Sequence, residues 1–353
     1  MKKLTILIAA AALVCFSVPA MAVDWNFYGS ARMATFWSSE DSGDNGSEIN
    51  ELYWEWQNNS RIGATVKADH LRGRFELGLK SVDSDDEAVG TRRLEGEWNF
   101  GSGSLMVAKG YSPLNQFLSG QVARADAGLL GRGFLYAGRP GFLQLAFGGF
   151  KVALISPKTA DLGTDPSETQ RLPKVEASWG MAYDAFNFNV MGGAQTYKLK
   201  DVESLTNPGD DDDIDVTSYV IGADGGFNFG PAYVKVGGSY AVNGGNANWT
   251  AGAGEWDDDD DINDNKTWQA GIVAGMKVSD MLSFEGGFGY RQDDLDDADE
   301  KQKTWEVYAQ SVILLAPGVY IIPEVGYYDH GKDVNDDDLG DDYYLGAKWQ
   351  IDF

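Results

Sequence analysis

Nine of the eleven arginines in this chain fall between residues 23 and 140, at positions 32, 61, 72, 74, 92, 93, 124, 132 and 139. Several alternate with each other or with acids, as in Arg72, Arg74 and Glu76 or Arg93, Glu95 and Glu97. Charges two residues apart share one face of a strand, where they can line water or pair with their neighbours. Bond-making chemistry has little to work with. The one cysteine, Cys15, lies in a leading apolar run, and His70 and His330 belong to no nucleophile or metal motif, so catalysis is not expected. The runs Asp210–Asp213, Asp257–Asp261 and Asp336–Asp338 could take Ca²⁺ or Mg²⁺, since hard cations want several carboxylate oxygens. Asp211, Asp213, Asp257, Asp259 and Asp261 are the candidate ligands. The runs lack the spaced ligands and central glycine of an EF-hand loop, so solvated anionic loops are the plainer reading, and no other cofactor is expected.

The chain has 353 residues and a formal net charge of -26, with 28 Lys plus Arg against 54 Asp plus Glu. That charge excludes nucleic acid as a partner, because a phosphate backbone needs clustered cations. With 44 glycines and 12% aromatics it is not a disordered acidic chain, but a folded β protein. Residues 1–22 read as an export signal: Lys2 and Lys3, an apolar run to Val18, then the small-x-small site Ala20-Met21-Ala22. A single domain, 23–353, is expected after cleavage.

What must position the arginines is a regular series of strands. Sixteen strand-length segments are separated by connections that are alternately short and long. The short ones are Asp69-His70, Gly101-Ser102-Gly103, Gly148-Gly149, Asp184-Ala185, Gly230-Pro231, Ser279-Asp280-Met281 and Ala316-Pro317-Gly318, all ordinary turn chemistry. The long ones lie near 39–49, 83–90, 112–139, 157–173, 200–215, 244–265, 293–300 and 329–342. Leaving out 112–139, they hold 38 of the 54 carboxylates and only four cations. The acidity therefore belongs to one end of the molecule.

The strands alternate apolar and polar residues. Leu52, Trp54, Ile62, Ala64 and Val66 oppose Tyr53, Glu55, Arg61, Gly63 and Lys67, and Leu71, Phe75 and Leu77 oppose Arg72, Arg74 and Glu76. A half-buried soluble sheet alternates too. Short turns at one end and long acidic loops at the other favour a transmembrane barrel, whose apolar face meets lipid and whose polar face meets water. Aromatics near strand ends, including Trp25, Phe27, Trp37, Tyr343, Tyr344, Trp349 and Phe353, suit interfacial girdles.

The opening Val23-Asp24-Trp25-Asn26-Phe27-Tyr28-Gly29, the segment Asn59-Ser60-Arg61-Ile62-Gly63 and the closing Tyr344-Leu345-Gly346-Ala347-Lys348-Trp349-Gln350-Ile351-Asp352-Phe353 resemble Gram-negative general porins, most closely the homotrimeric outer-membrane porins of sulphate-reducing bacteria. The resemblance spans the whole mature chain. It implies an all-β fold: a 16-stranded antiparallel transmembrane β-barrel with short periplasmic turns, long acidic extracellular loops and an inward-folded third loop, three barrels per assembly, in the outer membrane of a Gram-negative bacterium. Phe353 matches the terminal aromatic read by the barrel-assembly machinery. Segment 112–139 takes the place of the constriction loop. It departs from the family pattern of an acidic loop against a basic wall, carrying one carboxylate, Asp126, and three arginines, Arg124, Arg132 and Arg139.

Strand parity places Arg32, Arg61, Arg72, Arg74 and Arg93 in the lumen with Lys67 and Lys80, beside Glu55, Glu76 and Glu95. Together with Arg124, Asp126 and Arg132 of the loop, these are the expected pore residues. The implied function is passive diffusion of small hydrophilic solutes and ions with a weak anion preference; a substrate-specific channel using Tyr28, Tyr53 and Arg74 is the alternative. Lipid and lipopolysaccharide are the expected surroundings, with divalent ions bridging the acidic loops to lipopolysaccharide phosphates. Small outward residues Gly29, Ala31, Ser60 and Ala64 are the expected trimer contacts.

Overall fold

The computed structural model describes residues 23–43, 46–79, 89–157, 167–169, 172–203, 211–256 and 262–353, without the side chains of 167–169, 201–203, 211, 212 and 256. The proposed export signal, Lys80 and the run Asp257–Asp261 lie outside these residues. The strands begin with β1 (Asp24–Asp41), β2 (Glu48–Trp56), β3 (Arg61–Lys67), β4 (Leu71–Leu79), β5 (Val89–Asn99) and β6 (Ser104–Lys109). After a long connection come β7 (Gly141–Phe147), β8 (Phe150–Ile155), β9 (Ser167–Thr169), β10 (Lys174–Ala182), β11 (Phe186–Glu203), β12 (Asp211–Phe229) and β13 (Ala232–Val242). The short pair β14 (Glu255–Trp256) and β15 (Ile262–Asn263) precedes β16 (Asn265–Lys277), β17 (Leu282–Leu295), β18 (Gln302–Ala316), β19 (Val319–Asp329) and β20 (Asp341–Asp352).

All strand pairings are antiparallel, and β20 returns to β1 with Ala31 opposite Ile351 and Trp37 opposite Leu345. The sheet is therefore closed on itself. β1 pairs with both β2 and β3, and β11 with both β9 and β10, so each of those pairs forms one crossing of the wall. The described residues thus make a barrel of sixteen crossings. All seven short connections sit at one end, as the turn residues dictate.

The alternation resolves as apolar side chains outside and polar groups inside. Leu52 and Trp54 are 69% and 64% exposed, while Arg32, Glu76 and Gln144 on the opposite parity are buried. A charge turned outward at the midplane would cost about 2–4 kcal/mol, which fixes the register of each strand. Two irregularities reshape the inner wall. Between β2 and β3, residues 57–60 oppose only Ala31 and Arg32 of β1, a two-residue bulge. On β5 the register jumps between Glu76↔Arg93 and Leu77↔Thr91, leaving Arg92 as the extra residue.

Candidate functional site

The barrel interior is not empty. The connection between β6 and β7 folds into it, and Leu114, Val122, Leu129, Phe134 and Leu135 are nearly or fully buried against the inner wall. The wall accepts the loop because inward positions on neighbouring strands are glycine. A Cβ at Gly237 would stand 2.8 Å from Leu118 and one at Gly271 2.7 Å from Phe134, while one at Gly289 would collide with the Arg132 carbonyl. Such approaches leave no room for any other residue.

Polar tethers fix the loop along its length. Glu285 accepts from the Gly120 N–H at 2.7 Å, and Glu324 from the N–H groups of Val122 and Ala123 at 2.7 and 3.0 Å. Gln121 donates to Glu306 at 2.5 Å and to the Tyr344 hydroxyl at 2.9 Å. Arg132 pairs with Glu306 at 3.2 Å, Arg124 pairs with Asp342, and both guanidiniums lie over the Tyr328 ring. Arg124 and Arg132, expected in the pore, are therefore anchors spent on wall carboxylates. The loop's one acid goes the other way: Asp126 pairs with Arg32 and with Lys348 at 2.8 Å, and accepts from Asn59 at 2.7 Å. Arg32, with its side chain 9% exposed, is a latch rather than a water-lining cation.

The latch holds a conformation that does not persist unaided. Arg124, Ala125 and Asp126 have φ of 50°, 61° and 66°, a left-handed turn built without glycine. Such residues cost roughly 1–2 kcal/mol each and survive where their surroundings over-determine them. Here the bulge between β2 and β3 supplies the hold: Gln57 donates to the Val122 carbonyl at 3.1 Å and Asn59 to the Ala125 carbonyl at 2.9 Å.

Beside the loop remains a cavity of about 450 Å³, lined on the wall by Asn58, Asn59, Arg61 and Arg92 and on the connection by Tyr111, Phe117, Ser119, Asp126, Leu130, Tyr136 and Arg139. Arg61 and Arg92 share Glu76, at 3.8 and 2.9 Å. Glu76 also accepts from the Tyr28 hydroxyl at 3.0 Å. Arg93 pairs with Glu95 at 2.5 Å. Tyr111 is flanked by two guanidiniums: Arg93 lies 5.2 Å from its ring, and Arg139 lies 5.5 Å away while donating to the hydroxyl at 3.1 Å. Arg139 has no ion pair among the described residues, and the buried Arg74 Nε has no hydrogen-bond partner there. Five guanidiniums (Arg61, Arg74, Arg92, Arg93, Arg139) thus stand on or beside this wall with two carboxylates, Glu76 and Glu95, an excess of fixed positive charge around the cavity.

Of the expected pore residues, the cavity brings together Arg61 and Asp126, with Arg93, Glu76 and Glu95 bonded just behind. Arg74 stands across the sheet from Thr65 and Glu95. Arg72 and Lys67 face each other at the short-turn end, away from the constriction. Glu55 lines a separate hollow of about 590 Å³ on the long-loop side, with Glu40, Tyr53, Arg124 and Asp342. Arg92 and Arg139 are gained. Strict parity assigns Arg92 to lipid, and only the bulge turns it inward.

Among the candidate cation ligands, Asp213 is half exposed and lies 3.7 Å from Lys198, the side chain of Asp211 is not described, and Asp257, Asp259 and Asp261 are outside the described residues. Two other expectations need correcting. Ser60 and Ala64 are fully buried, Ser60 accepting from Arg32 N at 3.0 Å, and Gly29 lies beneath the Phe353 ring, so none of the three is a free outward contact. Tyr344 points inward to Gln121 instead of joining an aromatic girdle.

A second loop enters the barrel. The first part of the connection after β13, which the sequence reads as a plain external acidic loop, turns inward, and Trp249 is buried with Leu114 and Leu135 of the constriction loop.

Neither a protein-family model nor a curated protein sequence matches the chain. Solved structures do. The outer membrane channel DcaP of Acinetobacter baumannii superposes with a TM-score of 0.74 at 15% identity, over 96% of this chain and 99% of that one. OmpT of Vibrio cholerae in its trimer form gives 0.60 at 15%, over 93% and 99%. The anion-selective porin of Comamonas acidovorans gives 0.61 at 12%, over 94% and 100%. At these identities the likeness concerns architecture, and the chain shares the barrel fold of these outer-membrane proteins.

Proposed function

We propose that this protein is an outer-membrane porin through which small hydrophilic solutes and ions diffuse passively, with a preference for anions. The observation that carries the reading is the passage between the arginine wall and the inward loop, inside a barrel whose outer face is apolar. Solutes cross the vestibule, pass Arg61, Arg92 and Arg139, and leave past Arg74, Arg72 and Lys67. No tight site need form, since fixed charge and width are enough to discriminate. The acidic loops form an anionic mouth, but at physiological salt the Debye length is about 8 Å, so the cationic neck governs selectivity and the mouth governs approach. The structural relatives whose names say channel or porin support this reading.

The same reading includes export by the leader at 1–22, assembly through Phe353 by the barrel-assembly machinery, a homotrimer, and surrounding lipid and lipopolysaccharide. Divalent ions bridging the Asp211 and Asp257–Asp261 regions to lipopolysaccharide phosphates belong to it as well. The resemblance to porins of sulphate-reducing bacteria rests on the terminal motifs. A substrate-specific channel is the second reading, favoured by Tyr111 held between Arg93 and Arg139, an aromatic platform rimmed by cations. Planar-bilayer recording of the refolded protein separates the two. Linear current unaffected by added solutes supports free diffusion, and current that saturates or is blocked by one solute class supports the specific channel.

A further inference from the structure

The constriction loop is a ribbon with two faces. Its two runs are tied together by the bridge Asn115↔Tyr136, and the Gln116 side chain accepts from Leu135 N at 2.9 Å. Phe117 and Tyr136 face the pore. Leu114, Leu135 and Ala137 face away from it and pack with Met191, Val220, Ala241, Ala247 and Trp249. Trp249 is 2% exposed and lies on the separate loop after β13. Its indole N–H donates to Glu176 at 2.9 Å, and Lys174, 3.6 Å from the same carboxylate, donates to the Ala247 carbonyl at 2.8 Å. The wall beneath is as close as it can be: a Cβ at Gly193 would lie 2.8 Å from both Leu114 and Trp249. Trp249 is thus a rigid wedge against the back of the ribbon, seated beside Leu114 on the same wall glycine and held by a buried ion pair.

We infer that Trp249, which touches no water of the passage, is a positioning residue that sets pore width and anion preference by pressing the constriction loop toward the arginine wall. The inference rests on the channel reading. Removing the ring leaves a void that a packed interior fills by relaxing into it, and the side that can move is the ribbon, since the other side is the barrel sheet. The ribbon's shift into that void draws Phe117 and Tyr136 away from Arg61 and Arg92. A wider passage holds a passing ion farther from the guanidiniums, so selectivity falls as conductance rises.

The test uses full-length wild type, W249A and W249F, refolded and shown to be intact barrels by heat-modifiable gel mobility. W249A is expected to raise single-channel conductance roughly twofold, admit larger sugars in vesicle swelling, and bring the reversal potential in asymmetric KCl toward zero. W249F, which keeps a ring in the wedge, stays near wild type in all three. Should W249A not assemble, W249L is expected to show the same shifts at smaller size. A folded W249A, or failing it W249L, that matches a conducting wild type in conductance, size limit and reversal potential overturns the inference alone. A silent wild type overturns the channel reading and this inference with it.

Discussion

Lys348 on the last strand reaches 2.8 Å to Asp126, the single carboxylate of the constriction loop, across 222 residues of sequence. Arg32 of the first strand meets the same carboxylate, so the seam where the barrel closes is also where the loop is locked. The polarity of this lock is reversed on either side of Asp126, where Arg124 and Arg132 meet Asp342 and Glu306 of the wall. Loop and wall exchange charges in both directions, and what is left in excess is the positive charge of the guanidinium cluster beside the cavity, five arginines against Glu76 and Glu95.

Asp126→Asn removes the charge that Arg32 and Lys348 share while keeping the shape. Both cations are almost buried, and breaking such a group by taking one partner costs about 3 kcal/mol or more. The variant is expected to unfold at lower denaturant and to give a noisier, flickering conductance, because the left-handed turn loses its lock. Equal denaturation midpoints and steady open current would show that the latch does not hold the turn.

Arg92→Ala is expected to reduce anion preference more than Arg72→Ala. Arg92 lines the cavity beside the loop, whereas Arg72 stands at the short-turn end, outside that lining. Reversal potentials of the two variants in the same KCl gradient decide this. Equal shifts would mean that the cavity between wall and loop is not the selective point.

The glycine lane can be tested from below. Gly289→Ala drives a methyl into the Arg132 carbonyl, and Gly271→Ala places one 2.7 Å from the Phe134 ring. Overpacking of this kind costs about 1–3 kcal/mol. Both variants are expected to lift the loop off the wall toward the arginines and lower the conductance, with the larger effect at Gly289 because backbone cannot rotate away. Unchanged conductance in both would place the loop elsewhere.

Much of this was legible in the chain. The seven tight turns follow from Gly, Pro and Asp at the few positions where a strand must reverse, and the inward and outward faces follow from a period of two. The departures are those that break that period or depend on distant contacts. Arg92 needed a bulge that only its partner strand defines. Tyr344 shares its parity with lumen residues, but its aromatic character suggested the membrane interface. Arg124 and Arg132 read as pore cations because their carboxylate partners lie about 170 to 220 residues away. A usable signal was present for the loop's bed: Gly193, Gly222, Gly237, Gly271 and Gly289 all fall on inward parity of consecutive crossings, where a water-lined wall would carry polar side chains.

Ile221 is 64% exposed on the outer face of β12, and its neighbour Val220 is buried inside. Ile221→Arg is expected to cost about 2–4 kcal/mol and to depress insertion into lipid vesicles, the cost of a charge facing lipid near the midplane. Asp224→Asn, inward on the same strand and bonded to Asn189, is expected to insert normally. Normal insertion of Ile221→Arg would turn the barrel wall inside out.

The central claim is that the passage is open, water-filled and positively charged at its narrowest point. Its most direct test is the single-channel reversal potential of the refolded wild type across a KCl gradient, repeated at low and high salt. The account predicts a measurable ohmic conductance and a potential on the anion side that persists when salt screens the acidic loops. A cation-side potential that survives high salt, or no conductance from intact barrels, would contradict it.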